Sequence, residues 1–177
     1  MTDNCEYCKK IEDSNAKVLY KDDKVIAFLE ENPFAIGHVS VVPLEHYTII
    51  EQVPDFIITH IFSVANKIST SAFESLGAHG TNILVNNGVV AGQDTPHFAV
   101  HVVPRRENDG INLQWPPKQL DEEEMSTVEL SLKEETKNIG TFEKEEKEPV
   151  NVDEMKEGKT ETLSEDDYLT RQINRIP

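Results

Sequence analysis

The run Asn86-Asn87-Gly88-Val89-Val90-Ala91-Gly92-Gln93-Asp94-Thr95-Pro96-His97-Phe98-Ala99-Val100-His101-Val102-Val103-Pro104-Arg105 limits what this chain can fold into more than any other stretch. Aromatic and β-branched residues alternate with smaller or polar ones from His97, and Pro104 follows, so the pattern predicts a strand over 97–103. Side chains of a strand alternate between its faces, which puts His97, Ala99 and His101 on one face and Phe98, Val100 and Val102 on the other. The second face is apolar and packs; the first carries the chemistry. Taken alone, two histidines at i and i+4 fit a satisfied structural pair as well as a functional site.

The other elements follow from period and punctuation. Lys17–Tyr20 and Lys24–Leu29 alternate around Lys21-Asp22-Asp23-Lys24, which reads as a hairpin. Glu30-Glu31-Asn32-Pro33 ends its second strand, a third runs from Gly37 to Pro43, and Thr81–Asn86 is a fourth. Between them, apolar residues at helical spacing from Asp55 to Leu76 predict one long helix, entered at Val53-Pro54 and ended by Gly77, which tolerates a left-handed cap. A short helical stretch to about Glu12 follows Cys5-Glu6-Tyr7-Cys8. The pattern as a whole predicts an α+β fold, an antiparallel sheet with one long helix.

Charge separates the chain into two parts. Of the net charge of −16, Asp121–Pro177 carries 18 acidic against 8 basic residues, a net of −10. The division expected is a folded domain over 1–117 and an acidic, partly helical extension over 118–177. Met125, Val128 and Leu132 lie at helical spacing, residues 141–160 are too poor in apolar side chains to fold alone, and 164–176 resembles a capped helix. So acidic a chain is a poor general nucleic-acid binder, because phosphate contacts need clustered Lys and Arg. No apolar run approaches the roughly 18 residues of a membrane span, and no leader pattern opens the chain, so a cytoplasmic location is expected. Two cysteines at Cys-x-x-Cys suit a metal or redox pair, or a free dithiol, better than a disulfide framework.

The triad-like stretch resembles the histidine triad family of nucleotide hydrolases and transferases, whose motif is His-φ-His-φ-His-φ-φ, φ being apolar, after a Gly-Gln pair. Asn86, Gly92-Gln93, His97, His101 and Pro104-Arg105 match it in order and spacing, and the likeness runs from about Cys5 to Trp115. The middle histidine does not match. The resemblance makes that position the nucleophile, and here it is Ala99.

Several roles are implied by this resemblance. The zinc-bearing branch would place a structural zinc on Cys5, Cys8, His46 and His97, four protein ligands closing the coordination sphere. A purine nucleotide or nucleotide conjugate would lie against Tyr7, Phe28 and Leu29, with Glu30 on the ribose and Asn86, Gln93, Asp94 and His101 around the phosphates. Gln93 and His101 would assist the reaction at position 99, and backbone N–H groups of Gly92, Gln93 and Asp94 would form a nest for phosphate. Asp94 departs from the Ser or Thr common in the family, and its charge opposes phosphate. The helix would contribute to a homodimer. The activity implied is hydrolysis or nucleotidyl transfer on nucleoside phosphoramidates or dinucleoside polyphosphates through a nucleotidyl-histidine. Because a methyl group cannot attack phosphorus, Ala99 marks either a disabled, substrate-trapping form of such an enzyme, which the regularity of the remaining match favours, or a natural nucleotide-binding or adaptor protein. His38 reads as structural, His60 and His79 as surface or helix-end residues, and Trp115 as a packing residue.

Overall fold

The structure, a computed structural model, describes residues 5–13 and 15–140. Strands β1 (Val18–Lys21), β2 (Val25–Leu29), β3 (Val39–Pro43), β4 (Gly80–Leu84) and β5 (Val100–Arg105) form one antiparallel sheet in the order β1-β2-β3-β5-β4. The β1–β2 turn is closed by Asp22, whose Oδ1 accepts from the N–H of Lys24 at 2.9 Å and of Val25 at 2.7 Å. A carboxylate at that place satisfies backbone donors the tight turn would otherwise leave open.

The sheet has two covered faces. On one lies α2 (Asp55–Leu76), whose Ile57, Ile61, Val64 and Ala65 pack on Val25, Ala27, Val39, Val41, Val100 and Val102. Truncating the fully buried Ile61 to alanine would remove about 2–5 kcal/mol of stability. Gly77 ends α2 at φ 59°, ψ 39°, as the left-handed cap requires. On the other face α1 (Glu6–Glu12) sets Tyr7 and Cys8 against Ile26, Phe28, Val42 and Ala99.

The alternation in the sequence thus assigns faces correctly, although the last strand begins later than expected. Regular pairing starts at Val100, because the N–H of Phe98 donates to Tyr47 O at 2.6 Å and that of His97 to Thr95 O at 2.8 Å, outside the sheet. Nor does Pro104 close the strand. It pairs with Thr81 of β4, beyond the point where β3 last pairs at Val39↔Val102, so its missing N–H interrupts no ladder on that side.

The acidic segment contributes α3 (Glu122–Glu135), started by a reciprocal capping box between Asp121 and Glu124. No residue of α3 is buried, and Met125, Val128 and Leu132 are about half exposed. Trp115 is 79% exposed, so the packing role expected for it fails among the described residues. The expectations for 141–160 and 164–176 lie outside the described residues.

Candidate active site

The sheet register builds the site. One cross-sheet row reads Phe28↔Ser40↔His101↔Leu84, and it ends beside Glu30, whose N–H donates to His38 O at 3.0 Å. Gly37 precedes His38 at φ 86°, and a Cβ there would meet Leu76 Cδ1 at 2.4 Å, so only glycine lets the chain enter β3 at this angle. The result is a cleft of about 430 Å³ walled by α1, the start of β3 and the Asn86–Thr95 loop, with Tyr7, Lys10, Glu30, His38, Ala99 and His101 among its lining residues.

Within it runs a hydrogen-bonded chain. Glu30 Oε1 accepts from Tyr7 OH at 2.8 Å and Ser40 Oγ at 2.5 Å, and Oε2 accepts from Lys10 Nζ at 3.2 Å. His101 Nδ1 lies 2.9 Å from Ser40 Oγ and 3.1 Å from His38 Nε2, and Phe34 stacks on His38 at 4.7 Å between centroids. Burial would raise the Glu30 pKa, but hydrogen bonds from Ser40 and Tyr7 and the Lys10 charge together hold it below its ordinary value. Burial, together with the neighbouring His101, lowers His38 to about 4 against the opposing pull of Glu30. His101 is also lowered, chiefly by burial, with Glu30 and Asp94 opposing. At neutral pH both rings are uncharged.

Beside the cleft, four ligand atoms converge. Cys5, Cys8, His46 and His97 bring one ligand atom each to within 4.8 Å of one another, and neither cysteine is in a disulfide. His97 Nδ1 lies 3.5 Å from Cys5 Sγ and 3.6 Å from Cys8 Sγ, and Cys8 Sγ lies 3.3 Å from His46 Nδ1. Tetrahedral zinc with Zn–S near 2.3 Å and Zn–N near 2.0–2.1 Å would set sulfur–nitrogen edges of roughly 3.5 Å, so the set fits that metal. The tautomer also fits. His97 Nε2–H donates to Pro43 O at 3.1 Å, which leaves Nδ1 as the lone pair among the thiols, and burial holds the ring neutral by lowering its pKa to about 4.

A model of the HIT domain matches residues 12–108, more than half of the chain. The chain belongs to the HIT family. Over 107 residues it is 41% identical to an uncharacterized HIT-like protein of Methanocaldococcus jannaschii, covering 60% of this chain and 82% of that one. It is 28% identical over 142 residues to the adenosine 5′-monophosphoramidase HNT1 of Candida albicans, covering 77% and 93%. Among solved structures, a zinc-bound histidine triad family protein from Mycobacterium smegmatis superposes with a TM-score of 0.59 at 30% identity, covering 75% of this chain and 97% of that one.

Within this HIT domain, the residues expected around a nucleotide divide. Tyr7, Glu30, Asn86, Gln93, Asp94, Ala99 and His101 line the cleft; Phe28 and Leu29 do not. Phe28 is buried behind Tyr7, whose ring lies 5.6 Å from it, and Phe34 takes the aromatic place at the cleft instead. Gln93 braces its own loop: Nε2 donates to Thr48 O at 2.7 Å and Thr95 O at 3.0 Å, and Oε1 accepts from Gly88 N at 2.8 Å. The N–H groups of Gly92 and Gln93 donate to Val89 O and Gly88 O, so the expected phosphate nest loses two of its three donors. Asn86 Nδ2 supports the same loop through Gly92 O at 3.1 Å.

Other residues exceed their expected roles. His38 is buried yet lines the cleft against His101, and its place directly after Gly37 was the available signal. Ser40 and Lys10 gave none. His60, expected at the surface, meets Asp22 Oδ2 at 2.5 Å and ties α2 to the β1–β2 turn.

Proposed function

We propose that this chain is a nucleotide-binding HIT domain whose cleft takes a purine nucleotide or nucleotide conjugate, of the nucleoside phosphoramidate or dinucleoside polyphosphate class, and whose route through a nucleotidyl-histidine is closed by Ala99. The observation that carries the reading is Ala99 itself, buried on the cleft wall between His97 and His101, where the family places its nucleophile. The cleft has the volume of an ordinary small-ligand site, and Lys9 and Lys10 stand in its lining beside the acidic Glu6, Glu30, Glu31 and Asp94. The monophosphoramidase activity named for the Candida relative supports the substrate class.

Ground-state contacts survive loss of a nucleophile, since they are made before the transition state. Glu30 Oε2, with one described hydrogen bond, retains acceptor capacity for a ribose hydroxyl. Zinc on Cys5, Cys8, His46 and His97 would join the N-terminal helix to the site strand; it supplies a structural cross-link and no catalytic step. Exposed Phe62, Phe73, Leu76 and Ile83, on α2 and the edge strand β4, support a homodimer through that side. Among the described residues no helix is long and apolar enough to cross a membrane.

Calorimetric titration with AMP tests the reading. Affinity in the micromolar range, about −8 kcal/mol, is expected, with a clear loss on Glu30→Ala. No heat from the unsubstituted chain would remove the nucleotide from this cleft.

A further inference from the structure

Ser40 is a buried residue behind the cleft wall, bonded to Glu30 and His101, and the family resemblance gives it no role. It is fully buried and stands directly across from His101 in the β3–β5 register, with its Oγ 2.5 Å from Glu30 Oε1 and 2.9 Å from His101 Nδ1. A hydroxyl has one proton, and an ionised carboxylate only accepts. The Ser40 proton therefore goes to Glu30, and the bond to His101 is completed by a proton on Nδ1.

His38 competes for the same ring nitrogen. Its Nε2 lies 3.1 Å from His101 Nδ1, while the N–H of Phe34 lies 3.3 Å from its Nδ1. If Phe34 donates there, His38 carries its proton on Nε2 and donates to His101, leaving two lone pairs facing each other at the Ser40 contact. If His101 carries the proton on Nδ1, it serves Ser40 and the lone pair of His38 Nε2 together, and His38, whose proton is then on Nδ1, gives up the Phe34 contact. The second arrangement wins on cost. Ser40 is sealed from water, and an unmade bond there costs about 1–3 kcal/mol, whereas the Phe34 contact, at 3.3 Å, is the longest of the three.

We propose that Glu30 and Ser40 form a relay that fixes His101 in its Nδ1–H tautomer, leaving Nε2 as a base in the cleft that drives direct attack of water on the phosphorus of a bound nucleoside phosphoramidate. This rests on the nucleotide-binding reading above and deepens it. Replacing an imidazole by the methyl of Ala99 leaves room for water beside His101. Water gives its proton to Nε2 as its oxygen bonds to phosphorus; the P–N bond breaks, and its electron pair leaves with nitrogen, which takes the proton back from the imidazolium. The products are a nucleoside monophosphate and an amine, and no phosphorus–histidine bond forms. His101 is the catalytic residue. Ser40 and Glu30 are positioning residues, and the carboxylate stabilises the transient imidazolium through the hydroxyl.

The test combines three measurements on the full chain and on Ser40→Ala and Ser40→Thr. Nitrogen-15 shifts of labelled histidine, recorded without ligand, report the His101 tautomer. Calorimetry with AMP reports binding, and turnover of adenosine 5′-phosphoramidate reports the reaction. General-base contributions are typically about 10²–10⁴-fold, so Ser40→Ala should lower turnover by about tenfold or more while affinity stays within about twofold. It should also move His101 to the Nε2–H tautomer, and Ser40→Thr should restore both properties. An Nε2–H tautomer in the unsubstituted chain, or a tautomer and rate indifferent to Ser40→Ala, overturns the relay. AMP binding without turnover in the unsubstituted chain overturns the water-attack step alone. Absence of AMP binding overturns the nucleotide reading and this step with it, while the ligand-free spectra still decide the relay.

Discussion

His97 and His101 stand two residues either side of Ala99, and the two neighbourhoods use the same side chain for opposite ends. Around His97 the near groups are thiols and a carbonyl, so its proton sits on Nε2 and Nδ1 is a ligand. Around His101 they are a hydroxyl backed by a carboxylate, so Nδ1 takes the proton and Nε2 is the free base. Burial lowers both pKa values, and the tautomer is set by what lies at hydrogen-bond distance. The comparison teaches that neighbours from α1 and β3 divide this one stretch into a metal-type half and a proton-relay half.

The strongest way to break that division is to restore the residue between its halves. Ala99→His places an imidazole beside His101 in an already open cleft and should raise phosphoramidate turnover by about 10³-fold or more, since losing a covalent nucleophile commonly costs orders of magnitude. Radiolabelled nucleotide should then remain on the denatured protein in a rapid quench. A variant as slow as the unsubstituted chain would show that position 99 is not where the family chemistry would occur here.

Removing the metal-type half comes next. Cys8→Ala should reduce bound zinc from one per chain to near none in protein purified without chelator. If zinc stood at a thousandfold excess over its Kd, the stability lost would be about 4 kcal/mol. Equal melting temperatures for the two proteins, with no metal in either, would leave a reduced dithiol. Turnover through His101 should survive in the folded fraction, because neither cysteine belongs to the relay.

Acid sharpens the comparison from the other side. His38 is 2% exposed with a pKa lowered to about 4 by burial and the adjacent His101, and Glu30 opposes. The folded state therefore binds its proton less readily than the unfolded chain, where histidine titrates near 6.5. The stability held by a neutral His38 is complete above about pH 6.5 and is lost as pH falls toward 4. At about 1.4 kcal/mol per unit the loss reaches about 3 kcal/mol, and His38→Gln should flatten this part of the stability curve. Urea midpoints of both proteins between pH 7 and 4 measure it; parallel curves would assign the acid lability elsewhere.

Of the metal-type half, the Cys-x-x-Cys pair was readable from the sequence by type and spacing, whereas His46 and His97 followed only from the family resemblance. The long helix was equally readable, its period and Gly77 being local signals. Ser40 was not. It acquires meaning only from lying opposite His101, 61 positions away, and register is a property of the whole sheet. For the same reason the strand start was misplaced by three residues, since the competitor for the Phe98 N–H is a carbonyl at Tyr47. Trp115 misled by composition alone: a large apolar side chain is expected inside, yet much folded surface is apolar.

The smallest effect lies on the opposite face of the sheet, where a third histidine is neither ligand nor base. His60 Nε2 donates to Asp22 Oδ2, which also accepts from Tyr20 OH at 2.6 Å, while Oδ1 holds the β1–β2 turn. Burial alone would raise Asp22, but the hydrogen bonds from Tyr20 and His60 and from the turn amides outweigh it and hold the carboxyl well below the usual range. A depressed carboxylate contributes stability that is present above its unfolded pKa, near 3.9, and fades as pH falls through the lower folded value. Asp22→Asn keeps the turn acceptor and loses the charge, so it should cost about 1 kcal/mol at pH 7, with the gap to the unsubstituted chain closing below about pH 3. Because α2 and the hairpin meet here on the side away from the cleft, AMP affinity and the His101 tautomer should not change. A shift in either would mean that the two faces of the sheet are coupled, and that the division of the site stretch depends on more than its neighbours from α1 and β3.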